Sequence, residues 1–184
     1  METAARKNRG PSAGPDNRRA LIVAAREVFS LEGFHAPLSA IARRAGVGQG
    51  SLYRHFPDRL TLIAAIFDEN IASLEVIVDR ESSTLDDYLA EILEQALVSS
   101  ALIDLMMLER SDGRIQHLRT RITATTERIV ARERASGRIR ADAATDDVVL
   151  AISMFAALIA RVPEAERRHT GDRAWSLFHA AFAP

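Results

Sequence analysis

The sequence predicts an all-α protein of about nine helices, a small N-terminal three-helix module followed by a larger helical body. Three observations predict it. Apolar residues recur at spacings of three and four along most of the chain, the breaks in that pattern fall at Gly33, Gly46, Pro57, Gly137 and Pro163, and no alternating pattern competes as a strand. The 184 residues are 47% hydrophobic, enough to bury a sizeable core without covalent help. There is no cysteine. A disulfide framework, a cysteine-ligated metal, an iron–sulfur cluster and a cysteine nucleophile are therefore all excluded.

Residues 1–16 are rich in Gly, Pro, Ala, Ser and charge and are expected to form a disordered basic arm carrying Arg6, Lys7 and Arg9. From residue 17, Leu21, Ile22, Ala25, Val28 and Phe29 share one helix face, with Asp16 or Asn17 to cap it and Gly33 to stop it. Leu38, Ile41, Ala42 and Ala45 make a short second helix. Gly46 then supplies a sharp turn, and Val47, Leu52 and Phe56 carry a short third helix. Pro57 and Asp58 open a long helix whose Leu60, Ile63, Phe67, Ile71, Leu74 and Val78 run to about residue 82, which divides the chain into domains at 17–62 and 63–184. Further helices are expected over 85–100, 102–109, 114–136, 145–162 and 172–182.

The charge is divided unevenly. Residues 1–60 hold ten Arg/Lys against five Asp/Glu, whereas the remainder holds fourteen against twenty. A basic module on an acidic body suits a polyanionic partner at one end only. No apolar stretch reaches the ~20 residues of a membrane span, and the first residues lack the apolar core of a signal peptide. The expected location is cytoplasmic, with no membrane partner.

Two short helices joined by a glycine-containing turn are the helix-turn-helix arrangement, whose second helix enters the major groove of double-stranded DNA. The outward positions of that helix are Gln49, Gly50, Ser51, Tyr53, Arg54 and His55. A glutamine amide can bond adenine through both its groups, an arginine can fork onto guanine or hold a phosphate, and a glycine lets two backbones approach. Gln49 is the expected base reader and Tyr53 a phosphate donor. Asp58 and Arg59 begin a helix whose free N–H groups are expected to hold an anion, with Arg59 on the DNA backbone. The same pattern also fits an ordinary helix pair of a bundle. Gly46, Gly48 and Gly50 do not form a nucleotide-binding loop, because no strand precedes them and no Lys-Ser/Thr follows.

The stretch GFHAPLSAIARRAGVGQGSLYRHFPDRLTL resembles the DNA-binding region of the TetR family of bacterial regulators, with Ala45, Gly46, Val47, Gly50, Leu52, Tyr53, His55 and Phe56 standing where that pattern expects them. The resemblance covers residues 17–67; beyond residue 80 it is one of helix number and order. Gly48 replaces the usual Ser cap, Arg59 replaces Lys, and Ala36-Pro37-Leu38 replaces a Thr-rich entry, leaving Ser39 as the substitute hydroxyl for a phosphate. The resemblance implies a ligand-responsive transcriptional regulator. It would be a repressor that binds a palindromic operator as a homodimer and is released by a small-molecule effector.

For the effector pocket the candidates are Phe67, Tyr88, Met106, Met107, His117 and Phe155, since thioethers and aromatics suit an apolar ligand with a polar handle. For the dimer face they are Val149, Ile152, Ala156 and Ala160 with Trp175, Phe178 and Phe182. Plain core packing is the alternative for both sets. His169, Asp172 and His179 have no metal-binding spacing, so neither a metal nor a cofactor is expected. No catalytic motif is present, and a small all-α enzyme has no evident use for a basic first third. A helical interaction protein with a degenerate helix-turn-helix is the other class the residues allow.

Overall fold

The computed structural model describes residues 14–108 and 111–184, and of 98–108 the backbone alone. The described residues form eight helices: α1 (Gly14–Glu32), α2 (Leu38–Arg44), α3 (Gln49–His55), α4 (Arg59–Asp79), α5 (Leu85–Leu108), α6 (Gly113–Ala135), α7 (Thr145–Arg161) and α8 (Glu164–Phe182). No strand occurs among them. Nor is any helix among them long and apolar enough to cross a membrane. The expected arm, as far as residue 13, lies outside the described residues, and Gly14–Asp16 already belong to α1. Pro15 is tolerated there because a first-turn N–H has no helical acceptor to lose.

Two compact units divide the chain, Met1–Leu62 and Ile63–Pro184, the division falling inside α4. In the first, α1 packs against both α2 and α3. Its core is Leu21, Ile22, Ala25 and Phe29 of α1 with Ile41 and Ala42 of α2, Leu52 of α3 and Phe56 just after it. Gly33, φ 79°, turns the chain out of α1, and its N–H donates to the Phe29 carbonyl at 3.1 Å.

The second unit is built on α5 and α7, with α6 and α8 packed on both. Two expectations about its helices are corrected. The spans 85–100 and 102–109 are one helix, because Ser99, Ser100 and Ala101 contain no breaker and serine only mildly disfavours a helix. The last helix begins at Glu164, not at 172: Pro163 stands at its N-cap and Glu164 and Glu166 lie in its first turn. Gly171 is consequently mid-helix and buried, and a Cβ there would come within 2.6 Å of a Leu93 methyl. That glycine lets α8 approach α5 closely.

Three arginines of α6 secure α4. Arg121 forms ion pairs with Asp68 and with Glu75, the latter at 2.7 Å, and Arg128 pairs with Asp79. Arg132 donates to the carbonyl oxygens of Val78 at the end of α4 and of Arg80 and Ser83 in the turn after it, at 2.9, 3.1 and 2.6 Å.

Candidate nucleic-acid interface

The turn between α2 and α3 follows from its residues. Gly46 adopts φ 67°, the left-handed region that favours glycine, and the Val47 N–H donates back to the Ala42 carbonyl at 2.9 Å. Gly48 takes an extended conformation (φ −66°, ψ 144°) as the N-cap of α3, and its carbonyl accepts from Ser51 and Leu52 at 2.9 and 3.1 Å. It provides no side-chain cap bond, yet α3 forms two full turns from Gln49 to His55. Helix α3 is sharply two-sided. Leu52 and the following Phe56 are fully buried, while Gln49, Gly50, Tyr53 and Arg54 are exposed together at i, i+1, i+4 and i+5. Ser51 and His55, expected on the outward face, are half-buried at its margins.

The exposed face carries side chains that can recognise DNA chemically. Gln49 has both amide groups available to a base edge and Tyr53 a hydroxyl, while Arg54 Nε donates to the Gly50 carbonyl at 3.2 Å along its own helix. Ser39 is exposed on the first turn of α2, which has Pro37 at its N-cap and no side-chain cap bond. Arg43 stands exposed on the last turn of α2, and Arg44 pairs with Glu27 of α1 at 2.6 Å. Neither residue was expected at the site, although two consecutive arginines just before the turn were a visible signal.

Arg59 and Asp58 are used otherwise than the sequence suggested. The Arg59 guanidinium donates to the Phe34 carbonyl oxygen and lies over two rings, 5.2 Å from the Phe34 centroid and 5.6 Å from that of Phe29. It is half-buried, and this burial holds its pKa below the usual arginine value. The start of α4 is not an open anion site. Asp58 fills it with its own carboxylate, accepting from the Thr61 N–H at 2.6 Å and the Thr61 hydroxyl at 2.8 Å.

The second unit contains a cavity of about 170 Å³ between α4, α5, α6 and α7. Phe67 lines it, as expected. Ile152 and Ala156, expected at a dimer face, line it too, because they point inward from α7. Tyr88 does not line it: its ring is fully buried in the core, and its hydroxyl lies 2.8 Å from that of Thr126. His117 is exposed, its neighbour Leu118 facing inward in its place. Met106 and Met107 lie on α5, and their side chains are outside the described residues. Phe155 is buried beside a different cavity, of about 190 Å³, with Trp175 and Phe178.

The remaining dimer candidates are also drawn inward. Ala160, Trp175 and Phe178 pack against the core, Phe182 is part of it, and Val149 is half-buried. Large apolar side chains are exposed on the opposite face of α7, with Leu150 and Met154 each 58% and Leu158 43% accessible, and on α8, with Leu177 at 72%.

Comparison with known proteins fits this geometry. A family model described as bacterial regulatory proteins, tetR family, matches residues 21–66. The uncharacterized HTH-type transcriptional regulator TtgW of Pseudomonas putida is 32% identical over 124 residues, which cover 56% of this chain and 92% of that protein. The HTH-type transcriptional activator FasR of Mycolicibacterium smegmatis is 41% identical over 68 residues, 36% of this chain and only 31% of FasR. Among solved structures, a TetR transcriptional regulator from Streptomyces coelicolor superposes with a TM-score of 0.69 at 28% identity, over 91% of this chain and 98% of that one.

Proposed function

The chain belongs to the TetR family of bacterial transcriptional regulators, and from that premise we propose that it is a ligand-responsive repressor that binds a palindromic operator as a homodimer. The observation that carries the DNA half of this reading is the two-sided α3: Leu52 and Phe56 anchor it, while Gln49, Gly50, Tyr53 and Arg54 form one exposed face. A groove-reading helix needs that division, because its inward residues must fix the angle at which its outward residues meet the bases. Gln49 reads a base edge, Tyr53 and Ser39 hold phosphates, and Arg54 serves either purpose once it leaves its own helix. Arg43 adds positive charge beside them.

The homodimer is supported by Leu150, Met154 and Leu158 at i, i+4 and i+8 on α7 with Leu177 on α8, an exposed apolar stripe that a second copy would cover. Two copies related by a two-fold axis present two identical α3 helices and so read a palindrome. The response to a small molecule is supported by the cavity in the second unit, which α4 lines with Phe67 and Leu74. Repression follows if the bound dimer occludes a promoter, and the effector releases it.

Selection of bound duplexes from a random pool, followed by titration of the winner at two salt concentrations, tests the DNA reading. An enriched palindrome whose affinity falls steeply with salt is the expected result. A folded dimer that enriches nothing would overturn it and leave an interaction protein with a degenerate helix-turn-helix.

A further inference from the structure

The walls of the α4–α7 cavity are almost wholly hydrocarbon, and Asn70 is the exception that has no internal explanation. Its side chain is only 4% accessible, yet the amide has no hydrogen-bond partner among the described residues. Two neighbouring polar groups are committed elsewhere. Gln95 Nε2 donates to the Asn70 backbone carbonyl at 3.0 Å and to Glu91 Oε1 at 2.8 Å, and Ser153 Oγ donates to the Val149 carbonyl at 2.9 Å. An unpartnered amide on an apolar wall is open to whatever enters the cavity and bonds to it in place of water, which points to a ligand with a polar group.

We propose that the cavity takes an uncharged, largely apolar molecule of about single-ring size, whose one hydroxyl, carbonyl or amide group is hydrogen-bonded by the Asn70 side chain. The inference rests on the effector reading above. The volume, about 170 Å³, is close to the ~150 Å³ of an apolar cavity that accepts benzene. Charge is excluded by what the cavity offers. An amide supplies one donor edge and one acceptor edge, which match a neutral polar group, whereas a carboxylate would lose its hydration for a single neutral partner. Arg119 also belongs to the lining, but as an exposed residue whose charge water screens.

Calorimetric titration of the full chain with toluene, p-cresol and 4-methylbenzoate, three molecules of one ring size differing in their polar group, tests the proposal. p-Cresol should bind at least about five-fold more tightly than toluene, the worth of one neutral hydrogen bond, and 4-methylbenzoate most weakly. Asn70→Leu and Asn70→Ala should abolish the preference for p-cresol while toluene still binds, which also shows that the variants are folded. Equal binding of toluene and p-cresol by the unaltered protein, or a preference that survives both substitutions, overturns the role of Asn70. Binding of 4-methylbenzoate as tight as that of p-cresol overturns the uncharged class. If none of the three binds, it is the effector reading of the cavity that fails, and the inference with it.

Discussion

Arg59 donates a hydrogen bond to the carbonyl oxygen of Phe34 and stacks over the same residue's ring, so one guanidinium ties the start of α4 to the loop after α1. The sequence offered this arginine as a phosphate contact; its geometry makes it part of the packing of the first unit.

Arg59→Ala should therefore lower stability before it lowers DNA affinity. It leaves the Phe34 carbonyl without its donor and removes a cation from the Phe29 and Phe34 rings, a loss of about 1–2 kcal/mol for a half-buried group. Urea unfolding followed by circular dichroism should show a lower midpoint, with Arg59→Lys between the two. Unchanged stability combined with weaker binding to every duplex would restore the phosphate role.

Gly50 invites a substitution whose two effects have opposite signs. It is an exposed residue of α3 with ordinary backbone angles, and a Cβ added there would meet nothing within 4 Å. Gly50→Ala should stabilise the free protein by up to about 1 kcal/mol, the helix propensity difference. The same methyl should weaken operator binding, because in the proposed complex it stands where the DNA backbone approaches. Thermal melts and fluorescence anisotropy on one preparation measure both. A variant that is more stable and binds equally well would show that α3 does not meet DNA at Gly50.

At Gln49 the expected effect is on discrimination. Gln49→Ala should leave the melting temperature unchanged, since the side chain is exposed, and should narrow the gap between the selected operator and a mutated one by about 1–3 kcal/mol. A uniform loss across sequences would assign the residue to the phosphate backbone instead.

The helix-turn-helix was legible in the sequence because its constraints are local: Gly46 at a positive φ, Leu52 and Phe56 spaced to bury one face, polar residues between them. The body was less legible. Helix α7 is apolar on both faces, with Ile152, Ala156 and Ala160 inward and Leu150, Met154 and Leu158 outward, so periodicity could not say which face meets the core. The first two turns of α8, from Glu164 to Gly171, carry no apolar stripe and end in a glycine whose purpose, close approach to Leu93, belongs to the tertiary structure. The partners of Arg59 and the place of Asn70 on the cavity wall are likewise properties of packing that a residue's charge or polarity does not reveal.

The two faces of α7 can be separated by substitution. Met154→Glu with Leu158→Glu should yield a helical monomer, because both side chains are exposed in the single chain and need burial only against a second copy. Ile152→Ala, on the inward face, should leave the oligomer intact and lower stability by about 1–3 kcal/mol. Sedimentation velocity and thermal melts distinguish the cases. A dimer that survives both glutamates would move the interface elsewhere.

Tyr88 provides a titratable test of the core. Thr126 donates its only hydroxyl proton to the Ile122 carbonyl at 2.7 Å, so the 2.8 Å contact between the two hydroxyls must have Tyr88 as donor. Burial is what raises the phenol's pKa from 10 to about 12. A phenol harder to ionise in the folded state contributes its full stability below pH 10 and loses it as pH rises through about 12. Two pH units correspond to about 3 kcal/mol at the limit. Tyr88→Phe should cost about 0.5–1.5 kcal/mol at neutral pH, the worth of the hydrogen bond, and remove most of the decline between pH 10 and 12. Denaturant midpoints of both proteins across that range give the comparison, with the exposed Tyr53 common to each. Parallel pH profiles would mean that the core opens to water before Tyr88 ionises.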